Sequence, residues 1–348
     1  MQNNNKIHFE ISKRKILYIG NLLSKHGFNA TTIETLGKSF EDEGFSVIYT
    51  SDKKNQFLRL IFMVFSTCRN AKKVDYIIID TYSTSSFWYA FFCSQMARVF
   101  KTKYIPILHG GSLPNRLKNY PTLSKMIFAN AYSNVAPSKF LQTIFSEYGF
   151  ENTIYIPNVL EIEKYKFKER NSFEPKILWV RAFAAIYNPK MAIDVFNLIK
   201  SNYSNATLCM VGPDKDGSLE ITKKYAENLG LNVIFTGGLP QKKWLELSNG
   251  YDVFINTTHI DNTPISVMEA MAMGLPVVST NVGGIPYLLE NEKDSLLVND
   301  NDVQVMANSI IRTIENQSET IVRVQNARKK IESFDWNLVK IMWKNLLK

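Results

Sequence analysis

Residues 256–286 read NTTHIDNTPISVMEAMAMGLPVVSTNVGGIP. Two carboxylates, Asp261 and Glu269, stand eight positions apart with the turn Asn262-Thr263-Pro264 between them. From Ile265 the pattern becomes helical. Apolar Ile265, Met268 and Met271 recur at threes, and good helix formers fill Glu269-Ala270-Met271-Ala272. Gly274 stops that helix, and Pro276 stands where it cannot continue. The β-branched run through Thr280 reads as a buried strand, and Val282-Gly283-Gly284 as a second turn.

A helix whose first turn lies near Pro264 to Ser266 offers unpaired N–H groups and a positive dipole end. That is a ready site for a phosphate or pyrophosphate. Asp261 precedes the helix and Glu269 lies about one turn further in. Acceptor-only groups flanking an anion site suit a ligand with hydroxyls on both sides of a diphosphate, the layout of a nucleotide-sugar. The spacing also fits a plain cap followed by a solvated Glu.

Outward from this stretch, two strand–helix series appear. The first has strands at 15–20, 45–49, 74–79, 104–108, 133–136 and 153–156. The second has strands at 176–180, 206–211, 233–235, 252–255 and 276–279. Near-continuous apolar strands alternating with helices predict α/β architecture, with parallel sheets covered on both faces. Length favours two domains: 1–172 and 173–332, with a charged linker at about 160–174. Residues 333–348 read as a C-terminal helix, packing or crossing back to brace the first domain. His109, Arg181, Gly237 and Asp261 follow strand ends, where ligands of open α/β sheets bind, so all can face one cleft.

Charge is uneven. Up to Ser172 there are 23 basic and 13 acidic side chains; from Phe173 onward there are 18 and 19. A basic first half suggests an anionic partner such as a membrane surface or phosphorylated lipid, set against ordinary solubility charge. Phe57–Phe62 and Lys72-Lys73 are the candidate contacts. The apolar stretch Phe57 to Cys68 contains Arg59 and is too short to span a bilayer. Cys68, Cys93 and Cys209 lie far apart without a CxxC pairing, as structural thiols in a reducing cytoplasm do. No secretory signal is visible in the polar N-terminus. A cytoplasmic protein, working at the inner face of the membrane, is expected.

The sequence resembles retaining glycosyltransferases of family 4, which have the GT-B fold: two Rossmann-like domains with parallel sheets facing a central cleft. The family hallmark, a Glu, seven residues and a second Glu, is matched by Asp261-Asn262-Thr263-Pro264, then Glu269-Ala270-Met271-Ala272, Gly274 and Pro276-Val277-Val278. Val282-Gly283-Gly284-Ile285-Pro286 matches the usual continuation. Val135–Ser138, Ile156-Pro157-Asn158, His109-Gly110 and Asp335-Trp336 are further matches. Three departures stand out. Asp261 replaces the first Glu. Ile186 stands five residues after Arg181 where the family often has Lys, with Lys190 displaced. The Gly-rich loop of the first domain is reduced to Lys25-His26-Gly27-Phe28.

The resemblance implies a transferase moving a sugar from a nucleoside-diphosphate sugar to a sugar or lipid-linked acceptor, with retention, in bacterial surface polysaccharide or glycolipid assembly. Glu269 would accept the donor ribose hydroxyls, and Asp261 would meet those of the transferred sugar. The Ile265 and Ser266 amides would hold the diphosphate, while Pro264 shapes the turn. Arg181 would neutralise the leaving group, with Lys190 as the displaced second cation. Gly238 and Leu239 would approach the base. His109 would line the donor sugar, with Gly20, Gly27 and Gly110 in acceptor-side loops. The donor carries its own leaving group and no Asp-x-Asp motif occurs, so neither cofactor nor metal is expected. The alternatives are a GT-B nucleotide-sugar epimerase, which turns over donor alone, and a non-catalytic nucleotide-sugar-binding protein. A dinucleotide oxidoreductase lacks its GxGxxG, because Gly20-Asn21-Leu22 follows the first strand. No nucleic acid partner is expected, since it would leave Asp261 and Glu269 unexplained.

Overall fold

The computed structural model describes residues 14–24 and 31–348. Contacts divide the chain into two units. One holds the described residues up to Ala136, with Ile144–Tyr155 and Leu347; the other holds Pro137–Thr143, Ile156–Leu346 and Lys348.

The first unit is built on strands β1 (Lys15–Ile19), β2 (Ser46–Thr50), β3 (Tyr76–Tyr82), β4 (Lys103–His109), β5 (Asn134–Ala136) and β6 (Thr153–Tyr155), in the order β2-β1-β3-β4-β5-β6. All pairs are parallel; Ile16 to Ile19 of β1, for instance, register with Tyr76 to Ile79 of β3. Helices α1 (Thr32–Asp42), α2 (Gln56–Asn70), α3 (Phe87–Val99), α4 (Leu113–Asn119), α5 (Pro121–Phe128) and α6 (Lys139–Glu147) lie between the strands in sequence. Ile16 to Ile19 and Ile77 to Ile79 have no exposed surface. Each such buried aliphatic side chain contributes roughly 1.5–3 kcal/mol.

The second sheet comprises β7 (Lys176–Val180), β8 (Thr207–Val211), β9 (Ile234–Gly237), β10 (Val253–Asn256), β11 (Val277–Thr280) and β12 (Leu296–Val298), again parallel, in the order β12-β11-β10-β7-β8-β9. Its helices are α7 (Pro189–Asn202), α8 (Ser218–Asn228), α9 (Gln241–Ser248), α10 (Ile265–Ala272), α11 (Ile285–Leu288), α12 (Val303–Glu315), α13 (Gln317–Glu332) and α14 (Trp336–Leu346). The chain runs outward from β7 to β9, then returns to place β10 on the other side of β7. The crevice at such a reversal is where open α/β sheets take ligands.

Two sequence expectations change. Strand β12, Leu296-Leu297-Val298, was not anticipated. The charged stretch read as a linker is tied to the second unit. Arg170, nearly buried, sends Nη1 to the carbonyls of Gly274 (2.7 Å) and Met273 (3.3 Å), Nη2 to that of Tyr251 (3.1 Å), and Nε to Asp252 (3.2 Å). Tyr165 and Phe173 are also buried. A guanidinium carries five donors on a planar fork, so a basic residue here binds carbonyls rather than water.

Candidate active site in the second unit

Helix α10 starts at Ile265, as its apolar spacing predicts, and Val267 to Ala272 are all buried. It ends at a left-handed Gly274 (φ +75), with the Leu275 N–H donating to the Ala270 carbonyl at 3.0 Å. At its other end Pro264 is the cap residue and makes no side-chain capping bond. Asp261 is therefore no helix cap. Among the described residues, the Ile265 and Ser266 N–H groups meet no acceptor within the chain.

Asp261 pairs with the Arg181 guanidinium and also accepts the Asn262 N–H at 2.7 Å. Arg181 directly follows β7, and Asp261 follows β10 after a short loop, so the pair stands at the reversal point of the sheet. The loop is held by the second turn: the Gly284 N–H donates to the Asp261 carbonyl at 2.8 Å. A Cβ on Gly284 would stand 1.8 Å from the Asn262 carbonyl oxygen, so only glycine permits this approach. The Asn262 amide is itself bonded to the Ser138 hydroxyl.

The Arg181 guanidinium lies 4.1 Å from the centre of the Tyr187 ring, with 11% of its side chain exposed. Burial pulls its pKa down, and Tyr187 counters this. Its Nε is buried without a partner, as is the Ser266 hydroxyl. Cation and unmatched donors thus gather where the helix dipole is positive, an arrangement suited to a bound anion.

Glu269 is only 4% exposed. Its Oε1 accepts from the Tyr165 hydroxyl (2.9 Å) and from Gln241 Nε2 (2.5 Å). Burial pushes its pKa up, and these two hydrogen bonds oppose the shift. Burial and the charged carboxylate likewise push the Tyr165 phenol up. A carboxylate kept in place by two side chains has further lone pairs for ligand hydroxyls.

The remaining expected residues fall in several places. Lys190 binds Asp194 (2.9 Å) and lies 4.1 Å from the Tyr225 ring centre; neither is a partner of Arg181, Asp261 or Glu269. The position five residues after Arg181, expected to supply a second cation, is Ile186, and the neighbouring Tyr187 meets the guanidinium instead. Gly238 sits against Pro213, and Leu239 is half-buried on the core behind α10.

In the first unit, His109 ends β4, with Gly110 following it. His109 Nε2 lies 2.8 Å from Asp80 Oδ1, and its ring stacks on Tyr82 at 4.9 Å. Asp80 is wholly buried, accepts from the Tyr18 hydroxyl (3.2 Å) and leaves Oδ2 unpartnered. Gly20 follows β1 and bonds through its backbone to Thr50 and Ser51. Gly27 lies outside the described residues.

Tyr165, Gln241, Tyr187 and Asp80 were not foreseen. Asp80 alone had a signal, a single charge closing the apolar run Tyr76 to Ile79.

Known proteins resemble the chain in sequence and in fold. Residues 161–330 match the family model Glycosyl transferases group 1. An uncharacterized glycosyltransferase of Methanocaldococcus jannaschii is 27% identical over 292 residues, which cover 77% of this chain and 74% of that protein. The amylovoran biosynthesis glycosyltransferase AmsK of Erwinia amylovora is 26% identical over 255 residues, 68% of this chain and 61% of that one. The crystal structure of Anabaena HepE in complex with UDP-glucose superposes with a TM-score of 0.74 at 20% identity, covering 95% of this chain and 99% of that one. The two parallel sheets are those of a GT-B fold, and the stretch that matches the glycosyl transferases group 1 model lies within the second unit.

Proposed function

We propose that the protein transfers a sugar from a nucleoside-diphosphate sugar to an acceptor hydroxyl with retention of configuration, in bacterial surface polysaccharide or glycolipid assembly. The observation that carries this reading is the set of unmatched donors: Arg181 Nε, the Ser266 hydroxyl and the first-turn amides of α10, between Asp261 and Glu269. The amides and Arg181 take the diphosphate. Glu269 accepts the ribose hydroxyls. Asp261, turned toward Arg181, keeps that guanidinium oriented and accepts a hydroxyl of the transferred sugar.

In the reaction the acceptor oxygen bonds to the anomeric carbon on the face that the diphosphate leaves. The anomeric carbon–oxygen bond breaks, and the departing phosphate oxygen takes the acceptor proton. Charge builds on the leaving diphosphate, where Arg181 and the helix amides are aimed before reaction begins. No metal is needed for that task, so transfer proceeds in EDTA. His109, oriented by Asp80, serves the transfer step. The acceptor is a sugar or a lipid-linked sugar met at an anionic membrane.

UDP-glucose is the first donor to try, being the ligand of the HepE complex. NMR of the product tests the mechanism. A product with the donor's anomeric configuration, with release of nucleoside diphosphate, is expected; an inverted anomer contradicts it.

A further inference from the structure

In the first unit, α2 and α3 pack side by side and share an outward apolar surface. Phe57, Phe62 and Phe65 of α2 and Trp88 and Phe92 of α3 are exposed, Phe57 by 69% and Phe65 by 60%. The rings of Trp88, Phe91 and Phe92 touch one another. Between the helices runs a groove of about 290 Å³, lined by Phe57, Leu60, Trp88 and Phe92 with Gln56 and Ser85. Single exposed apolar side chains are ordinary, but a contiguous aromatic patch marks an interaction surface.

The charge around the patch selects its partner. Neither α2 nor α3 contains an Asp or a Glu. Lys53 Nζ lies 4.9 Å from the Phe62 ring centre. Where the two helices end, Lys72 and Lys101, with Arg14 and Lys103, line a cleft of about 510 Å³ whose one carboxylate is Asp75. Aromatic side chains on two helices without acids, beside lysines and arginines that outnumber Asp52 and Asp75, suit the headgroup layer of a negatively charged bilayer.

We propose that the α2–α3 face docks on an anionic lipid bilayer. Phe57, Phe65 and Trp88 enter the boundary between headgroups and acyl chains, and the Lys72–Lys101 cleft receives lipid phosphate. The link to catalysis rests on the proposed glycosyl transfer; the docking itself does not.

Vesicle flotation of the full chain tests it, with phosphatidylcholine alone and with phosphatidylcholine plus phosphatidylglycerol. The protein should float with the anionic vesicles, and binding should fall in ~0.5 M salt. The triple variant Phe57→Ser/Phe65→Ser/Trp88→Ser should lose about tenfold or more of this binding. Single Phe65→Ser and Lys72→Glu/Lys101→Glu should each weaken it, which covers a misfolded triple variant. Nucleoside diphosphate affinity should stay at the wild-type value in each. Wild-type protein that ignores anionic vesicles, or variants that float as well as wild type, would overturn the proposal. So would a wild-type dimer that Phe65→Ser converts to monomer without any vesicle binding, since a second copy would then cover the face. Nucleotide binding without flotation defeats the docking alone and leaves the proposed reaction standing.

Discussion

Glu269 and Asp261 look alike in the sequence and are set apart by their surroundings. Glu269 is buried and held by Tyr165 and Gln241, 104 and 28 positions away, whereas Asp261 faces Arg181. Such distant partners leave no spacing signal, so the carboxylate was legible and its support was not. Because the Glu269 pKa is raised, the folded chain keeps a proton that the unfolded chain releases. Stability is therefore lost as pH rises from the ordinary Glu value through the raised one. Glu269→Gln should melt progressively higher relative to wild type as pH rises above the ordinary Glu value. Nucleotide affinity should move the other way. It needs the ionised carboxylate, so it should rise over that same interval in wild type and stay flat in Glu269→Gln; titration calorimetry across pH reads both. Arg181→Ala should lower kcat by about 10²–10³-fold, the scale of removing one preorganised transition-state donor. A kcat within twofold of wild type would remove Arg181 from the mechanism.

Helix α10 is the best-read element. Its apolar spacing, its stop at Gly274 and the strand after it were all visible, because each follows from local chemistry. What the sequence hides is how neighbouring segments close on it. Val282-Gly283-Gly284 reads as a turn, yet its function in the fold is to let the Asp261–Asn262 backbone approach. Gly284→Ala should destabilise the protein by about 1–3 kcal/mol, because the added Cβ collides with the Asn262 carbonyl. It should also weaken donor binding, as the Asp261 loop shifts; denaturant melts and calorimetry separate the two effects. Arg170 is the converse case, a charge that composition assigns to solvent and the structure buries against carbonyls. Arg170→Ala should cost about 3–5 kcal/mol, leaving Asp252 without its buried partner. A loss below ~1 kcal/mol would mean the segment is held by Tyr165 and Phe173 alone.

Both parallel sheets were legible because their strands are continuous apolar runs separated by glycines and helical periods. Only β12 was missed, although β5 and β6 are equally short. The functional chemistry was legible in the second unit, where the residues lie within one short stretch. It was thin in the first, where His109 depends on Asp80, 29 positions earlier. His109→Ala should lower turnover while nucleoside diphosphate affinity stays near wild type, and Glu269→Gln should weaken that affinity itself. The most direct test is calorimetric titration of the intact chain with a panel of nucleoside diphosphates. One of them should bind, and Glu269→Gln should bind it about tenfold or more weakly, as expected when a charged hydrogen-bond partner is lost. Absence of binding by every nucleoside diphosphate, or equal affinity in Glu269→Gln, would contradict the assignment of this site.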